Sequence, residues 1–390
     1  MSTESFPLVT LHPVADAHHR WSGMLLQWDG SGDPAALSRL CGEFGLLESL
    51  GQLPCVLTLP DPALLPEGLP ADKLLLNLPL ERCLAAESAP ALAALAAAGF
   101  ACIATGLPAA DAVLPPAIKG LALDHRASHD AAVVKAWLGK LPGPHMAFHV
   151  DDPAQRSGCH DLGFRWIAGN YPLQATAAQA SNNPGRTIML KLLAQITSDA
   201  DSSDIEKTLR QDPNLSFQLL KLVNSVAFSL TTKISSFTQA IALLGRRQLQ
   251  RWLQLLLYAR PHGQGDDVSP LMPRAALRAG LMEGLADAAG SSKEVQDQAF
   301  MVGMFSLLEP LIGQPVADVI KTLNLAEDVT IALGTRQGRL GGWLAAIEAA
   351  ESGPTPAAAQ ALAAAGISHD SWARQQAKAC RWAVQVSSEA

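Results

Sequence analysis

The chain has 390 residues, enough for two or three domains, with 48% hydrophobic and 17% charged residues, so it buries large cores and is not an intrinsically disordered chain. The formal net charge of -7 argues against a phosphate-backbone binder and predicts no attraction to anionic membranes. No apolar run approaches the roughly 20 residues of a membrane span, and the start MSTESFPLVT has neither a basic nor an apolar segment of a signal peptide, which predicts a cytoplasmic protein.

From the N-terminus, seven short apolar runs alternate with helical stretches: 24–28, 55–59, 74–78, 100–104, 118–123, 145–150 and 164–167. Their spacing reads as βα units, because a parallel strand needs a crossover to return. No glycine-rich phosphate fingerprint follows an early strand, so a TIM-like barrel over residues 1–175 is favoured over a doubly wound sheet. The stretch 176–186 reads as a linker with the breaker Asn183-Pro184-Gly185. From residue 187 to 390 the strand signal disappears. Ser203 and Glu206 predict a capping box, and Asp212-Pro213 a helix start that buries Leu215, Leu219, Leu222, Val223 and Val226. A helix from Gly245 should bury Leu249, Trp252, Leu253 and Leu256, with Arg247, Gln250, Arg251 and Gln254 on the open face. Further helices are predicted at 273–289, 293–308, 315–323, 338–351 and 370–386. The change of grammar predicts two separately folding halves.

The residues that could carry chemistry are sparse. The six cysteines form no C-x-x-C pair and read as reduced core residues. The strand ends offer Thr58 and Asp61, Asn77, Thr105-Gly106, Asp124, then His149, Asp151 and Asp152, then Gly169-Asn170. A two-metal phosphodiesterase site asks for more carboxylates than this, and Asp124, Asp151 and Asp152 read as turn and cap residues. In the second half only His262 and His369 follow residue 161, so no His-Asp metal site assembles there. No nucleophile motif is present.

The stretch DPNLSFQLLKLVNSVAF (212–228) followed by ISSFTQAIALLGRRQLQRWL (234–253) resembles the HDOD domain, the output-domain relative of HD phosphohydrolases. Gly303 to Glu309, GMFSLLE, resembles the variant found in two-domain EAL–HDOD signalling proteins, with Ser306 and Leu307 at the His-Asp positions; Arg278-Ala279 and Glu283 fit it as well. The resemblance then implies an EAL barrel ahead of it. In that frame Met24 replaces a metal-binding Glu, Thr58 an Asn, Asn77 a Glu and Thr105-Gly106 the paired Asp. Asp124 is kept, His149 stands for the catalytic Lys, Asp151 for a Glu, and Ala168-Gly169 for Gln-Gly.

The resemblance therefore implies a degenerate βα barrel followed by an all-α HDOD domain. It implies a regulator that is not an enzyme, with no catalytic residues, metal or cofactor. Its expected role is to contact signalling proteins through the HDOD half, where Arg247 and Arg251 are candidate contacts. Cyclic di-GMP binding without cleavage is the lesser reading and hydrolysis the least; nucleic acid and membrane are not expected partners.

Overall fold

The computed structural model describes residues 6–29, 34–174, 184–212, 215–216, 219, 241–242, 244–259 and 269–389. Eight strands close a barrel in chain order: β1 (Val9–Ala15), β2 (Trp21–Trp28), β3 (Cys55–Thr58), β4 (Leu74–Pro79), β5 (Ala101–Thr105), β6 (Ile118–Asp124), β7 (Met146–Phe148) and β8 (Trp166–Ile167). β2 to β8 run parallel, while β1 is antiparallel to both of its neighbours. The lumen is filled by Val14, Leu25, Val56, Leu75, Ile103, Ala122, Met146 and Phe148, one or two from each of β1 to β7, and by Ala168 just past β8. Because side chains alternate along a strand, the residue two places on from a lumen residue also faces inward. The upper layer is therefore Gln27, Thr58, Asn77, Thr105 and Asp124, at the strands' C-terminal ends.

Seven of these strands carry the predicted runs; β1 was missed because Thr10, His12 and Pro13 interrupt its apolar pattern. Pro13 is tolerated there because β1 meets β8 at a single pair, Ala15 with Ile167. The short β8 leaves the rest of that edge of β1 without a ladder. A side-chain amide from the end of the chain fills the gap. Leu11 N–H donates to Gln376 Oε1 at 3.1 Å, and Gln376 Nε2 and Trp372 Nε1 both donate to the Val9 carbonyl, at 3.0 and 2.8 Å. Buried backbone groups must be paired, so this contact is required by the shortness of β8.

The helices around the barrel are α1 (Pro34–Ser38), α2 (Leu46–Ser49), α3 (Leu80–Leu84), α4 (Ala89–Ala97), α5 (Ala131–Lys140) and α6 (Pro153–Leu162). Asp130 caps α5 and Asp152 caps α6. The β3–β4 connection holds only a 3-10 turn, Pro62–Leu64, and β5–β6 no helix, so the outer ring is thin.

The second half is helical: α7 (Pro184–Thr197), α8 (Ser202–Leu209), α9 (Arg246–Ala259), α10 (Leu271–Ala288), α11 (Lys293–Phe305), α12 (Leu308–Ile312), α13 (Val316–Lys321), α14 (Glu327–Thr335), α15 (Gly338–Ala350), α16 (Pro356–Ala364) and α17 (His369–Glu389), numbered among the described elements. Pro184 to Arg186, read as linker, open α7: a proline fits the first turn, where its missing N–H is no loss. Most of the predicted linker, and Leu222, Val223 and Val226, lie outside the described residues. Ser203 lies inside α8 and caps nothing, whereas Asp212 accepts from Leu215 N at 3.0 Å as a cap.

α10 is the axis of this half, buried along most of its length between α11 and α17. Gly303 lets α11 cross it: a Cβ there would lie 2.6 Å from the Ala279 backbone. One continuous apolar core runs from Phe6 and Leu8 beneath the barrel helices through α10 to α17. The two halves expected to fold separately are thus packed against each other through a common core. The apolar stripes of α10 and α17 are shared with the barrel, and no periodicity in either half reports that.

Candidate functional site at the barrel mouth

The C-terminal ends of the strands form a mouth with two unlike sides. On one side Thr105 Oγ1 donates to Asn77 Oδ1 at 2.6 Å, and Asn77 Nδ2 donates to Thr58 Oγ1 at 3.3 Å. This arc is neutral. Opposite it, Asp124 receives Arg126 through Nε at 3.2 Å, Nη2 at 3.0 Å and its backbone N–H at 3.0 Å, and His149 Nδ1 stands 3.0 Å from its Oδ1. Burial pushes the Asp124 carboxyl up, but the hydrogen bonds from Arg126 and His149 outweigh it and hold its pKa at about 2. His149 takes a left-handed backbone, φ 55°, which turns its ring back over the lumen beside Phe148.

A cavity of about 170 Å³ opens on the charged side, between His12, Gln27, Arg126, His149, Asp151 and Asn170. Asp151 Oδ1 accepts from Asn170 N–H at 3.2 Å and so holds the loop after β8. That loop approaches the turn after β7 closely at Gly169, where a Cβ would sit 2.1 Å from the Val150 carbonyl oxygen. His12 is buried beside the cavity, with Nε2 3.0 Å from Thr10 Oγ1. Desolvation, reinforced by the nearby Arg274, lowers its pKa to about 4.

The remaining wall comes from the helical half. Glu351 and Ser352, just past α15, line the same cavity. Arg278 grips Glu351 with both Nε and Nη2, at 2.7 and 2.8 Å, and reaches Ser306 Oγ at 2.9 Å. Arg274 bridges the halves: it donates to Asn170 Oδ1 at 2.7 Å, the Gly169 carbonyl at 3.1 Å and Glu351 Oε2 at 3.2 Å. The two arginine side chains are only 6% and 4% exposed. Burial pushes the Glu351 carboxyl up, and the guanidiniums of Arg278 and Arg274 more than reverse this.

Sequence reasoning found Asp124, His149, Asp151 and Gly169-Asn170, and they converge here. Thr58, Asn77 and Thr105 converge on the neutral arc. Met24 does not: its side chain lies in the core outside the barrel, because Leu25 is the residue of β2 that turns inward. Asp61 and Asp152 are spent on caps. Sequence reasoning missed His12, Gln27, Arg274 and Glu351. The available signal was two arginines four apart, 274 and 278, in the otherwise apolar first three turns of α10.

In α9, Leu249, Leu253 and Leu256 are buried as predicted, but Gln254 is buried too and Trp252 only partly. Arg251 is not an open contact. It pairs with Glu283 at 2.7 Å and Asp297 at 3.0 Å and lies 4.3 Å over the Phe300 ring, leaving 19% of its side chain exposed. Arg247 pairs with Asp297 at 2.7 Å and keeps 42% exposed. The six cysteines are buried and unpaired, and burial raises their thiol pKa values.

Fold and site together define a closed βα barrel whose mouth is partly walled by an all-α partner half. The HDOD domain family matches residues 186–326. The chain thus carries a match to the HDOD domain in its helical half, behind a closed βα barrel.

Among curated proteins it is 27% identical over 210 residues to cyclic di-GMP phosphodiesterase CdgJ of Vibrio cholerae, covering 53% of this chain and 47% of that protein. It is 31% identical over 130 residues to the uncharacterized protein YuxH of Bacillus subtilis, covering 33% of this chain and 31% of that one. The matches thus span less than half of either relative's length. Solved structures similar to part of the chain include the PaMucR phosphodiesterase in its c-di-GMP complex, at 18% identity, 42% of this chain, 94% of that one and TM-score 0.32. Another is the EAL-domain protein YkuI of Bacillus subtilis with c-di-GMP and calcium, at 12%, 43%, 54% and 0.34.

The name of CdgJ overturns the reading of this chain as a non-enzyme, which rested on side chains replaced at the strand ends and on the lack of a His-Asp site or a nucleophile motif. It likewise runs against treating cyclic di-GMP as a lesser partner. A pair of divalent ions would need several carboxylates at the mouth. Among the described residues no group of three or more His, Cys, Asp or Glu could hold a metal ion, and Asp124 is already neutralised by Arg126. The residues described do not fit a metal pair, and no metal-dependent step is derived. No helix among the described residues is long and apolar enough to cross a membrane.

Proposed function

We propose that the chain works in cyclic di-GMP-related signalling, with a cyclic dinucleotide bound at the barrel mouth and a protein partner contacted by the HDOD half. The kinship with CdgJ supports the ligand class. The observation that carries the placement is the chemistry of the cavity at the strand ends. Arg126, 63% exposed, can meet a phosphodiester, and the carboxylate of Asp151 and the amides of Gln27 and Asn170 can meet the donor and acceptor edge of a guanine. Sites at the C-terminal face of a barrel are built this way, from several strand ends at once.

For the partner half, Arg247 is the better of the two candidate contacts, since Arg251 is engaged within the fold. Calorimetry of the full chain with cyclic di-GMP, with product analysis in Mg²⁺ or Mn²⁺, tests the reading. Binding should weaken roughly tenfold in Arg126→Ala, the scale of about 1.4 kcal/mol for one charge-assisted contact. A folded chain that gives neither heat nor turnover overturns it.

A further inference from the structure

The mouth cavity is not a property of the barrel alone. Glu351 and Ser352 belong to the helical half, yet they line the cavity with Gln27, His149 and Asn170. Gly353, next in the chain, is packed so close to β2 that a Cβ would stand 3.4 Å from Gln27 Oε1. Beneath this wall lies a network of buried and part-buried charges. Arg278 takes both oxygens of Glu351, and Arg336 takes both of Glu348, at 2.8 and 2.9 Å. Arg274 is left with a shared oxygen of Glu351 and two neutral acceptors, Asn170 Oδ1 and the Gly169 carbonyl. Arg274, Arg278 and Arg336 thus share Glu348 and Glu351, and Asp151 of the cavity wall also acts on Arg274, so the charges at the junction of the halves form one network with the cavity lining.

We propose that the cavity is a shared site for a phosphodiester-bearing ligand, walled on one side by Glu351 and Ser352, so that ligand binding and docking of the helical half are one linked equilibrium with Arg274 as the positioning residue between them. This rests on the cyclic-dinucleotide reading of the mouth and adds who builds the site and what binding does. A ligand touching both halves stabilises the docked arrangement, and docking strengthens the ligand by the same factor. Arg274 is the joint because it holds both the loop after β8, through Asn170 and Gly169, and the turn after α15, through Glu351.

The experiment uses the full chain and cyclic di-GMP as probe, with hydrogen exchange and calorimetry. Ligand should raise amide protection in α10 and α15, far in sequence from the barrel strands. Ser352→Trp, an exposed position that leaves the core untouched, should lower affinity at least tenfold at unchanged melting temperature. Arg274→Lys keeps the charge but loses the fork, and should still bind while showing a smaller ligand-dependent gain in protection. Ligand binding with no change in α10 or α15, or affinity unmoved by Ser352→Trp, overturns the shared site and leaves the cyclic-dinucleotide reading standing. No binding by the unmodified chain overturns both.

Discussion

The two sides of the barrel mouth occupy equivalent places on one sheet and do opposite things. Thr58, Asn77 and Thr105 satisfy one another with neutral hydrogen bonds and need nothing beyond the barrel. Asp124 and His149, by contrast, stand beside Asn170 and Gly169, which Arg274 ties to the helical half. Charge at this mouth has two uses: Arg126 holds Asp124 within the barrel, and Glu351 with its arginines joins the barrel to its partner. The lesson is that a barrel's chemical face and its domain interface can be the same surface, so a side chain there serves packing and recognition together.

The comparison breaks most readily at Glu351. Glu351→Ala strips the buried Arg274 and Arg278 of their shared carboxylate, and should cost about 3–5 kcal/mol in denaturant unfolding. A cost near that of an ordinary surface substitution would mean that water reaches the arginines and that the charged side is no more structural than the neutral one.

His12 gives a pH signature from the same side. Its folded pKa of about 4 lies below the ordinary 6.5, so the unfolded chain takes up the proton first as pH falls. Its stabilisation is fully present above pH 6.5 and drains away between 6.5 and about 4, a loss on the order of 3 kcal/mol. Unfolding free energies measured across that window should fall less steeply in His12→Gln; equal slopes in the two proteins would contradict a neutral, buried His12.

The smallest effect is expected on the neutral arc. Thr105→Val removes the donor to Asn77 Oδ1 and should cost about 1 kcal/mol, the lower end for a buried acceptor left unmet, with no dependence on pH between 4 and 8. A pH-dependent loss would show that the two arcs are electrically joined.

Much of this was legible in the residues. Short apolar runs returning at βα spacing prescribe parallel strands, and strand ends prescribe where a site can be, so Asp124, His149, Asp151 and Asn170 could be named from their places in the runs. β1 was hidden because its polar Thr10 and His12 belong to the mouth and its Pro13 to an edge, so the pattern that marks a strand was overwritten by the strand's position. The open face assigned to α9 was half wrong for a related reason: helical periodicity separates two faces, but only the neighbouring helices, with Glu283, Asp297 and Phe300, decided that Arg251 would be covered.

By itself, then, the sequence determined the local elements, the barrel followed by a helical half, and the HDOD character of residues 186–326, because hydrophobic period and motif are properties of neighbouring residues. Only the tertiary structure decided that Gln376 pairs the bare edge of β1, that Met24 turns outward, and that Arg274 and Glu351 join the mouth from more than 100 residues away. Those outcomes depend on which surfaces meet, and burial of a charge becomes favourable only once its partner, placed by another part of the chain, is there to meet it.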